Sequence, residues 1–325
     1  MTPSDRPLVI ALEEHYYDPE LAATFDGPEG RAPELRRRLD DVGELRLEEM
    51  DEAGIDVQVL SHGAPATQRL DPETAVWLAR DVNDRLARMI AAHPDRFAGF
   101  ATLPTPNPEA AADELDRTVS ELGFKGAMIH GLTNGLFLDD RRFWTVFERA
   151  QALDVPLYLH PAVPHRAVVE AYYQDYLQDF PALLTAAWGF TVETATQAIR
   201  IVLSGVLEAY PGLKIILGHM GEGLPFLLWR IDHALSRPNN RPLAFREQFS
   251  RHFYITTSGN FSTPALLCSM MELGVDRILF SVDWPFVQST PGTRWMHELQ
   301  ISAEDKTKIL SGNAVRLLKI ARGTG

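Results

Sequence analysis

Cysteine is almost absent from this chain of 325 residues. The single cysteine, Cys268, cannot form an internal disulfide bond. It lies in an apolar, helix-like segment, and we therefore expect a buried structural thiol rather than a catalytic nucleophile.

Long apolar runs and basic blocks are also missing. No apolar stretch approaches the 18 or more residues of a membrane span, and the opening residues MTPSDRP lack a basic segment followed by an apolar one. The formal net charge is −13, from 44 acidic and 31 basic residues. We therefore expect a cytoplasmic protein that has neither membrane nor nucleic acid as a partner.

Short apolar, β-branched runs alternate with helical patterns along the chain. This alternation predicts an α/β fold of the (β/α)8 barrel type, with a parallel barrel inside a ring of helices. The predicted strands are residues 8–15, 57–61, 97–103, 126–131, 156–160, 214–219, 253–258 and 277–283. The predicted helices are residues 72–92, 108–122, 142–153, 194–210, 224–235, 264–273 and 303–320.

A doubly wound open sheet is the competing fold. It would have a glycine-rich phosphate-binding turn after the first strand, where this chain has EEHYYD. We expect one domain over residues 1–325, with loop insertions at about 16–44 and 162–190. The second insertion is rich in aromatic residues and is either a wall of the site or a packing surface between helices or subunits.

The first predicted strand, LVIALEEH, ends in three ionisable residues. Side chains two residues apart in a strand point the same way, so Glu13 and His15 share one face and Glu14 takes the other. A carboxylate and an imidazole side by side at a strand end suit a divalent metal ion of the zinc or manganese kind.

Three other predicted strands end in residues that can bind a metal. The fifth, PLYLH, ends in His160, the sixth in His219 and the eighth in Asp283. In a parallel barrel these ends meet at one face, where active sites are found. Glu222, three residues after His219, can fix the tautomer of that imidazole.

These motifs resemble the amidohydrolase superfamily, and within it the metal-dependent nonoxidative decarboxylases such as the γ-resorcylate and 5-carboxyvanillate enzymes. ALEEH, FYITTSGNF, LGHMGEGLPFLLWRIDH and RILFSVDWPF carry the resemblance, which extends over nearly the whole chain. The resemblance implies one Zn²⁺ or Mn²⁺ bound by Glu13, His15, His160 and Asp283. It also implies catalysis by His219, oriented by Glu222, and a homodimer or homotetramer.

The function hypothesis is decarboxylation of a hydroxylated aromatic acid, with Asp283 as the proton donor implied by the resemblance. The alternative is a hydrolase or hydratase that uses the same metal site, with Asp283 as the base for a metal-bound water. A nonenzymatic barrel is a third possibility, but it predicts loss of at least one ligand and none is missing.

Three further residues are candidates for substrate binding. His130 stands where γ-resorcylate-type enzymes carry an asparagine, so it either contacts substrate or packs under the following loop. Arg230 binds a carboxylate or supports a subunit interface, and Phe286 packs against the substrate ring or within the barrel rim.

Overall fold

The computed structural model describes residues 6–25 and 32–320. Within these ranges the chain forms nine strands, all paired in parallel. They are β1 (Ile10–Tyr16), β2 (Val57–His62), β3 (Phe97–Gly99), β4 (Ala101–Thr102), β5 (Ala127–His130), β6 (Pro156–His160), β7 (Lys214–Leu217), β8 (Phe253–Thr256) and β9 (Ile278–Leu279).

Strands β3 and β4 are two halves of the predicted third strand. They separate at Phe100, whose backbone amide donates to the carbonyl of Leu60, while the next amide, that of Ala101, donates to the carbonyl of Gly126. The first half therefore pairs with β2 and the second with β5, which gives a three-stranded and a six-stranded sheet. The predicted eight-stranded barrel order is confirmed, with one strand split.

The last strand meets the first through two backbone hydrogen bonds rather than a regular ladder. Asp283 N donates to Glu13 O at 3.1 Å, and His15 N donates to Trp284 O at 2.7 Å. The predicted eighth strand, residues 277–283, thus keeps only Ile278–Leu279 as regular strand. Its carboxyl end instead forms an irregular segment beside β1.

Helices follow the strands as the sequence predicts. They are α1 (Pro19–Ala22), α2 (Pro33–Asp40), α3 (Glu44–Ala53), α4 (Pro72–Ala92), α5 (Pro108–Ser120), α6 (Trp144–Ala152), α7 (Arg166–Val168), α8 (Gly189–Ser204), α9 (Val206–Ala209), α10 (His219–Glu222), α11 (Leu224–Leu235), α12 (Phe245–His252), α13 (Thr263–Leu273), α14 (Ser289–Glu298), α15 (Ala303–Thr307) and α16 (Asn313–Leu318).

Short 3₁₀ and π segments connect some of these helices. The 3₁₀ segments are Arg141–Phe143, Gln174–Tyr176, Pro181–Leu184 and Val275–Arg277, and the π segments are Val169–Tyr173 and Lys308–Gly312. In the described part of the chain, no helix is both long enough and apolar enough to cross a bilayer.

The helix boundaries follow local chemistry. Asp71 caps α4 by accepting from Thr74 N, and Asn107 caps α5 by accepting from Ala110 N. The predicted helix 194–210 begins too late, because α8 starts at Gly189, and it is interrupted at Gly205, whose φ of +88° separates α8 from α9. The insertion 16–44 is not a plain loop, because it contains α1 and α2.

Two apolar layers enclose the strands. One fills the barrel and includes Ile10, Leu12, Phe100 and Tyr158, while the other packs the outer strand faces against the helices. The barrel layer closes the end opposite the carboxyl ends of the strands with Ala314, Leu317 and Leu318 of α16. This packing leaves the carboxyl ends of the strands open for polar side chains.

Candidate metal centre

Four polar side chains from distant parts of the chain meet at the carboxyl ends of the strands. Glu13 and His15 lie on β1, His160 ends β6, and Asp283 follows β9. One ligand atom from each of these four residues lies within 4.8 Å of the other three. Glu13, His15 and His160 are buried, while Asp283 is partly exposed.

A β-bulge in β1 turns its last residues toward this centre. Ala11 pairs with Gln58 but Glu14 pairs with Leu60, so β1 contains one residue more than β2 between these positions. Ile10 and Leu12 face the barrel interior, and after the bulge Glu13 and His15 do so as well. Glu14 therefore points away from the centre, on the face opposite to that of Glu13 and His15, as their two-residue spacing predicts.

The two oxygens of Glu13 have different surroundings. Oε2 accepts from the hydroxyl groups of Tyr158 and Ser258. Oε1 has no partner of hydrogen-bond geometry among the described residues, although His160 Nε2 lies 3.2 Å away and His219 Nε2 lies 3.6 Å away. One oxygen is thus fixed by the protein and the other is directed at the centre.

His15 has the same division between its two nitrogens. Nδ1 lies 3.3 Å from Ser61 Oγ, whereas Nε2 lies 3.4 Å from Asp283 Oδ1 and lacks a hydrogen-bond partner in the described part of the chain. Buried polar atoms are rarely left unpaired. Because two such atoms are directed at one point between imidazole and carboxylate donors, this site fits a divalent cation.

His130 contacts the Nδ1 side of His160, away from the Nε2 atom that faces Glu13. It is buried at the end of β5, and its Nδ1 is 2.9 Å from His160 Nδ1. Nδ1 of His160 is also 2.7 Å from Pro161 O, which leaves Nε2 directed toward Glu13. The expected contact of His130 with substrate is therefore not supported by its position.

His219 is positioned by a left-handed turn, α10. His219, Met220, Gly221 and Glu222 all have φ between +49° and +73°. This turn brings Glu222 Oε1 to 2.7 Å from His219 Nδ1, while Ser258 Oγ accepts from the amide of His219. His219 Nε2 is 3.7 Å from Asp283 Oδ2, so its second nitrogen faces the centre.

The charges of the site are strongly coupled. Burial by itself would raise the pKa of Glu13, but the nearby imidazoles of His219, His160 and His15 hold it well below its ordinary value. Burial opposes protonation of His219, yet the carboxylates of Glu222 and Glu13 raise its pKa well above the ordinary value. Burial lowers the pKa of His15 and of His130. Glu13 is therefore ionised, as cation binding requires.

A cavity of about 150 Å³ opens beside the centre. It is lined by Ala64, His160, Thr185, Ala186, Phe190, His219, Asp283 and Phe286. Phe286 also lies against His15, with ring centroids 5.6 Å apart. The polar centre thus faces a small chamber whose other walls are mostly apolar.

The insertion 162–190 does contribute to this chamber, but through residues other than those expected. Thr185, Ala186 and Phe190 line it. Of the aromatic residues that marked the insertion, Tyr173 is buried, and the others are exposed: Tyr172, Tyr176, Phe180 and Trp188. Arg230 is exposed on α11 and does not line the chamber, so within one chain the expected carboxylate contact is not supported.

The residues that hold Glu13 were not predicted from the sequence. Tyr158 carried a usable signal, since it lies two residues before His160 in a strand and must share its face. Ser258 ends the predicted strand 253–258, for which no functional residue was predicted. Ala64 lies in a loop, and no sequence pattern predicts that it lines the chamber.

Comparison with known proteins supports a family assignment. The family model described as amidohydrolase matches residues 15–320. The chain belongs to the amidohydrolase family. This amidohydrolase is 44% identical over 329 residues to a γ-resorcylate decarboxylase from a Polaromonas species, covering 96% of this chain and 99% of that relative.

Solved structures show the same likeness. A dihydroxybenzoic acid decarboxylase from Polaromonas, crystallised with manganese and the inhibitor 2-nitroresorcinol, has a TM-score of 0.89 at 43% identity and covers 98% of both chains. The 5-carboxyvanillate decarboxylase of Sphingomonas paucimobilis has a TM-score of 0.89 at 36% identity, covering 97% of this amidohydrolase and all of that structure. The fold and the family expected from the sequence are confirmed.

Proposed function

We propose that this amidohydrolase is a metal-dependent nonoxidative decarboxylase, a carbon–carbon lyase acting on a hydroxylated aromatic carboxylic acid of the dihydroxybenzoate kind. The observation that carries the proposal is the cluster of Glu13, His15, His160 and Asp283 beside a chamber that an aromatic ring can occupy. The relatives named γ-resorcylate decarboxylase support it.

In this proposal Glu13, His15, His160 and Asp283 hold one Mn²⁺ or Zn²⁺ ion. Both ions accept mixed imidazole and carboxylate ligands, and the manganese in related structures favours Mn²⁺. When bound, the ion supplies a Lewis acid for the carboxylate of the substrate and the phenolic oxygen next to it. His130 holds the ring of His160 so that Nε2 is directed toward the centre.

Asp283 supplies the proton in the proposed reaction. Its carboxyl group lies at the boundary between the centre and the chamber, where the substrate ring carbon that bears the carboxylate would be. That carbon gains the proton, the bond to the carboxylate breaks, and the electron pair of this bond returns to the ring as carbon dioxide leaves. Asp283 is left as a carboxylate, and no oxidant or reductant is needed.

His219 and Glu222 act together on the phenolic oxygen. The hydrogen bond to Glu222 fixes the imidazole so that Nε2 faces the chamber. The apolar walls, among them Ala64, Phe190 and Phe286, exclude water and contact the flat faces of the ring.

The test is an assay on metal-loaded protein. Purified protein with Mn²⁺ is incubated with 2,6-dihydroxybenzoate and a panel of other ortho-hydroxy aromatic acids, and carbon dioxide and the phenol product are measured. We expect equal amounts of both from at least one acid. Release of no carbon dioxide from any of them, together with hydrolysis of an amide or lactone, would establish the hydrolase alternative instead.

We further propose a cytoplasmic homo-oligomer, a dimer or tetramer, built from one domain per chain. Exposed apolar side chains on α11, namely Phe226, Leu227 and Trp229, support an interface at this face, and Arg230 lies beside them. Light scattering should give a mass at least twice 36.4 kDa. A mass of one chain at micromolar concentration would contradict the proposal.

A further inference from the structure

Glu14 is a buried carboxylate that the proposed reaction does not use. It is fully buried and points away from the centre, although it stands between two of the proposed ligands in sequence. Its Oε1 accepts from Val282 N at 3.0 Å and from Ser281 Oγ at 3.1 Å, and its Oε2 accepts from Trp284 N at 3.2 Å. One carboxylate thus binds the backbone on both sides of Asp283.

Arg46 of α3 binds other groups in the same region. Also fully buried, it donates to His15 O at 2.5 Å and to Gln58 Oε1 at 3.0 Å. Its guanidinium carbon lies 3.9 Å from the ring centroid of Trp284. Arg46 therefore contacts both segments that Glu14 joins, and its positive charge partly offsets the rise in the pKa of Glu14 that burial causes.

The backbone at Asp283 requires such support. The regular pairing of β9 ends at Leu279, four residues earlier, and Asp283 has φ +76°, a conformation that non-glycine residues adopt at a cost. The amide of Asp283 itself donates to Glu13 O, and Gly259 N donates to Val282 O. The amides of Val282 and Trp284, on either side of Asp283, have Glu14 as their acceptor. Without an acceptor on each side, its carboxyl group would not keep one distance from His15.

We propose that Glu14, supported by Arg46, is a positioning residue that sets the distance between Asp283 and the other three ligands. It joins the two segments, β1 and residues 281–284, that carry three of the four ligands. The inference rests on the proposed metal site but not on the identity of the substrate. Loss of partners that orient metal ligands lowers metal affinity about 10–100-fold in general.

The test is the dissociation constant for Mn²⁺, measured from the electron paramagnetic resonance signal of the free ion. Glu14→Gln keeps the size of the side chain, but its amide replaces one acceptor with a donor, so one of the two backbone amides loses its partner. We expect the dissociation constant to rise about 10–100-fold.

Asn83→Asp is the matched control, because it also interchanges an amide and a carboxyl group on a fully buried side chain. Asn83 binds both backbone groups of Thr102 and the carboxylate of Glu114, none of them part of the proposed site. This variant should lose thermal stability but keep its Mn²⁺ dissociation constant within about twofold of the original protein.

Arg46→Lys is the second variant, since Glu14→Gln can fail to fold. Lysine keeps the charge but cannot donate to His15, Gln58 and Asp41 at once, so we expect the same direction of change. An unchanged Mn²⁺ dissociation constant in either folded variant would overturn the inference. Failure of the original protein to bind Mn²⁺ would instead overturn the metal site, and the inference with it.

Discussion

At the scale of single residues, the two oxygens of Glu13 have separate tasks. Hydroxyl groups of Tyr158 and Ser258 saturate Oε2, and Gly218 leaves room for them, since a Cβ there would lie 2.7 Å from that oxygen. Oε1 is left to face the histidines. A carboxylate held in this way binds a cation through one oxygen without further rearrangement.

Replacing Asp283 tests the proposed proton donor. Asp283→Asn removes the donated proton and a charged ligand, so the turnover number should fall at least 100-fold, the usual contribution of a positioned acid or base. Asp276→Asn is the control, because this carboxylate is exposed and pairs with Lys308 and Arg316. A turnover number near that of the original protein in Asp283→Asn would remove Asp283 from the mechanism.

His62 gives a prediction about acid stability. Burial lowers its pKa from 6.5 to about 4, so the unfolded chain binds a proton between these pH values while the folded chain does not. Stability is therefore lost as the pH falls from 6.5 toward 4, by about 3 kcal/mol in total.

His62→Phe should remove this loss. Phenylalanine keeps the stacking on Tyr17, so the free energy of unfolding of the metal-free variant, from urea titrations at pH 7 and pH 4.5, should differ less between the two pH values than in the original protein. Equal pH dependence in the two proteins would show that His62 does not titrate in this way.

Residue periodicity predicted one pair of site residues that share a face and could have predicted a second. Glu13 with His15, and Tyr158 with His160, each share a face because they lie two apart in a strand. The position of His130 behind His160 was not predictable, because it depends on the spacing of two neighbouring strands. The position of Ala64 in a loop beside the chamber was not predictable either.

At the scale of elements, the bulge in β1 and the left-handed turn α10 decide where the polar groups point. Strict alternation from Ile10 and Leu12 would have placed Glu14 inside the barrel and Glu13 outside. The extra residue in β1 reverses these directions. No sequence pattern predicted the bulge. The sequence predicted that Glu13 and His15 share a face but not which face it is.

Gly221 of α10 and Gly223, which follows this turn, offer a matched pair of variants. Gly221 and Gly223 have φ of +73° and +72°, so alanine strains the backbone by about 1 kcal/mol at either position. At Gly221 the new methyl group would also lie 2.8 Å from Ile255 Cγ2, whereas at Gly223 nothing lies within 4 Å among the described residues.

Gly221→Ala should therefore displace the turn that holds His219 and Glu222, and Gly223→Ala should not. We expect the turnover number to fall roughly 10-fold or more in the first variant and less than twofold in the second, because a small misplacement of a catalytic group costs much activity. Equal losses in both variants would mean that backbone strain alone matters.

At the scale of the whole molecule, the alternation of strands and helices predicted the barrel and the face that carries the site. The strand split at Phe100 and the irregular last strand were not predictable, because they depend on how eight strands close around side chains of different size. The bounds of α4 and α11 agree with the sequence pattern because each has a proline in its first two positions and ends where its apolar pattern ends.

Metal binding should stabilise the whole fold. The proposed ligands come from residues 13 to 283, and an ion that binds only the folded chain adds about 2.7 kcal/mol at a concentration 100 times its dissociation constant. Removing metal with a chelator should lower the melting temperature by several degrees, and added Mn²⁺ should restore it. Glu13→Gln should show little of this shift, and a melting temperature independent of Mn²⁺ in the original protein would contradict the account.

The most direct test of the metal centre is anomalous diffraction at the manganese absorption edge, from crystals grown with Mn²⁺. The account predicts one strong peak per chain, within bonding distance of Glu13 Oε1, His15 Nε2, His160 Nε2 and a carboxylate oxygen of Asp283. A peak at another place, or the absence of any peak in crystals of the protein grown with Mn²⁺, would contradict it.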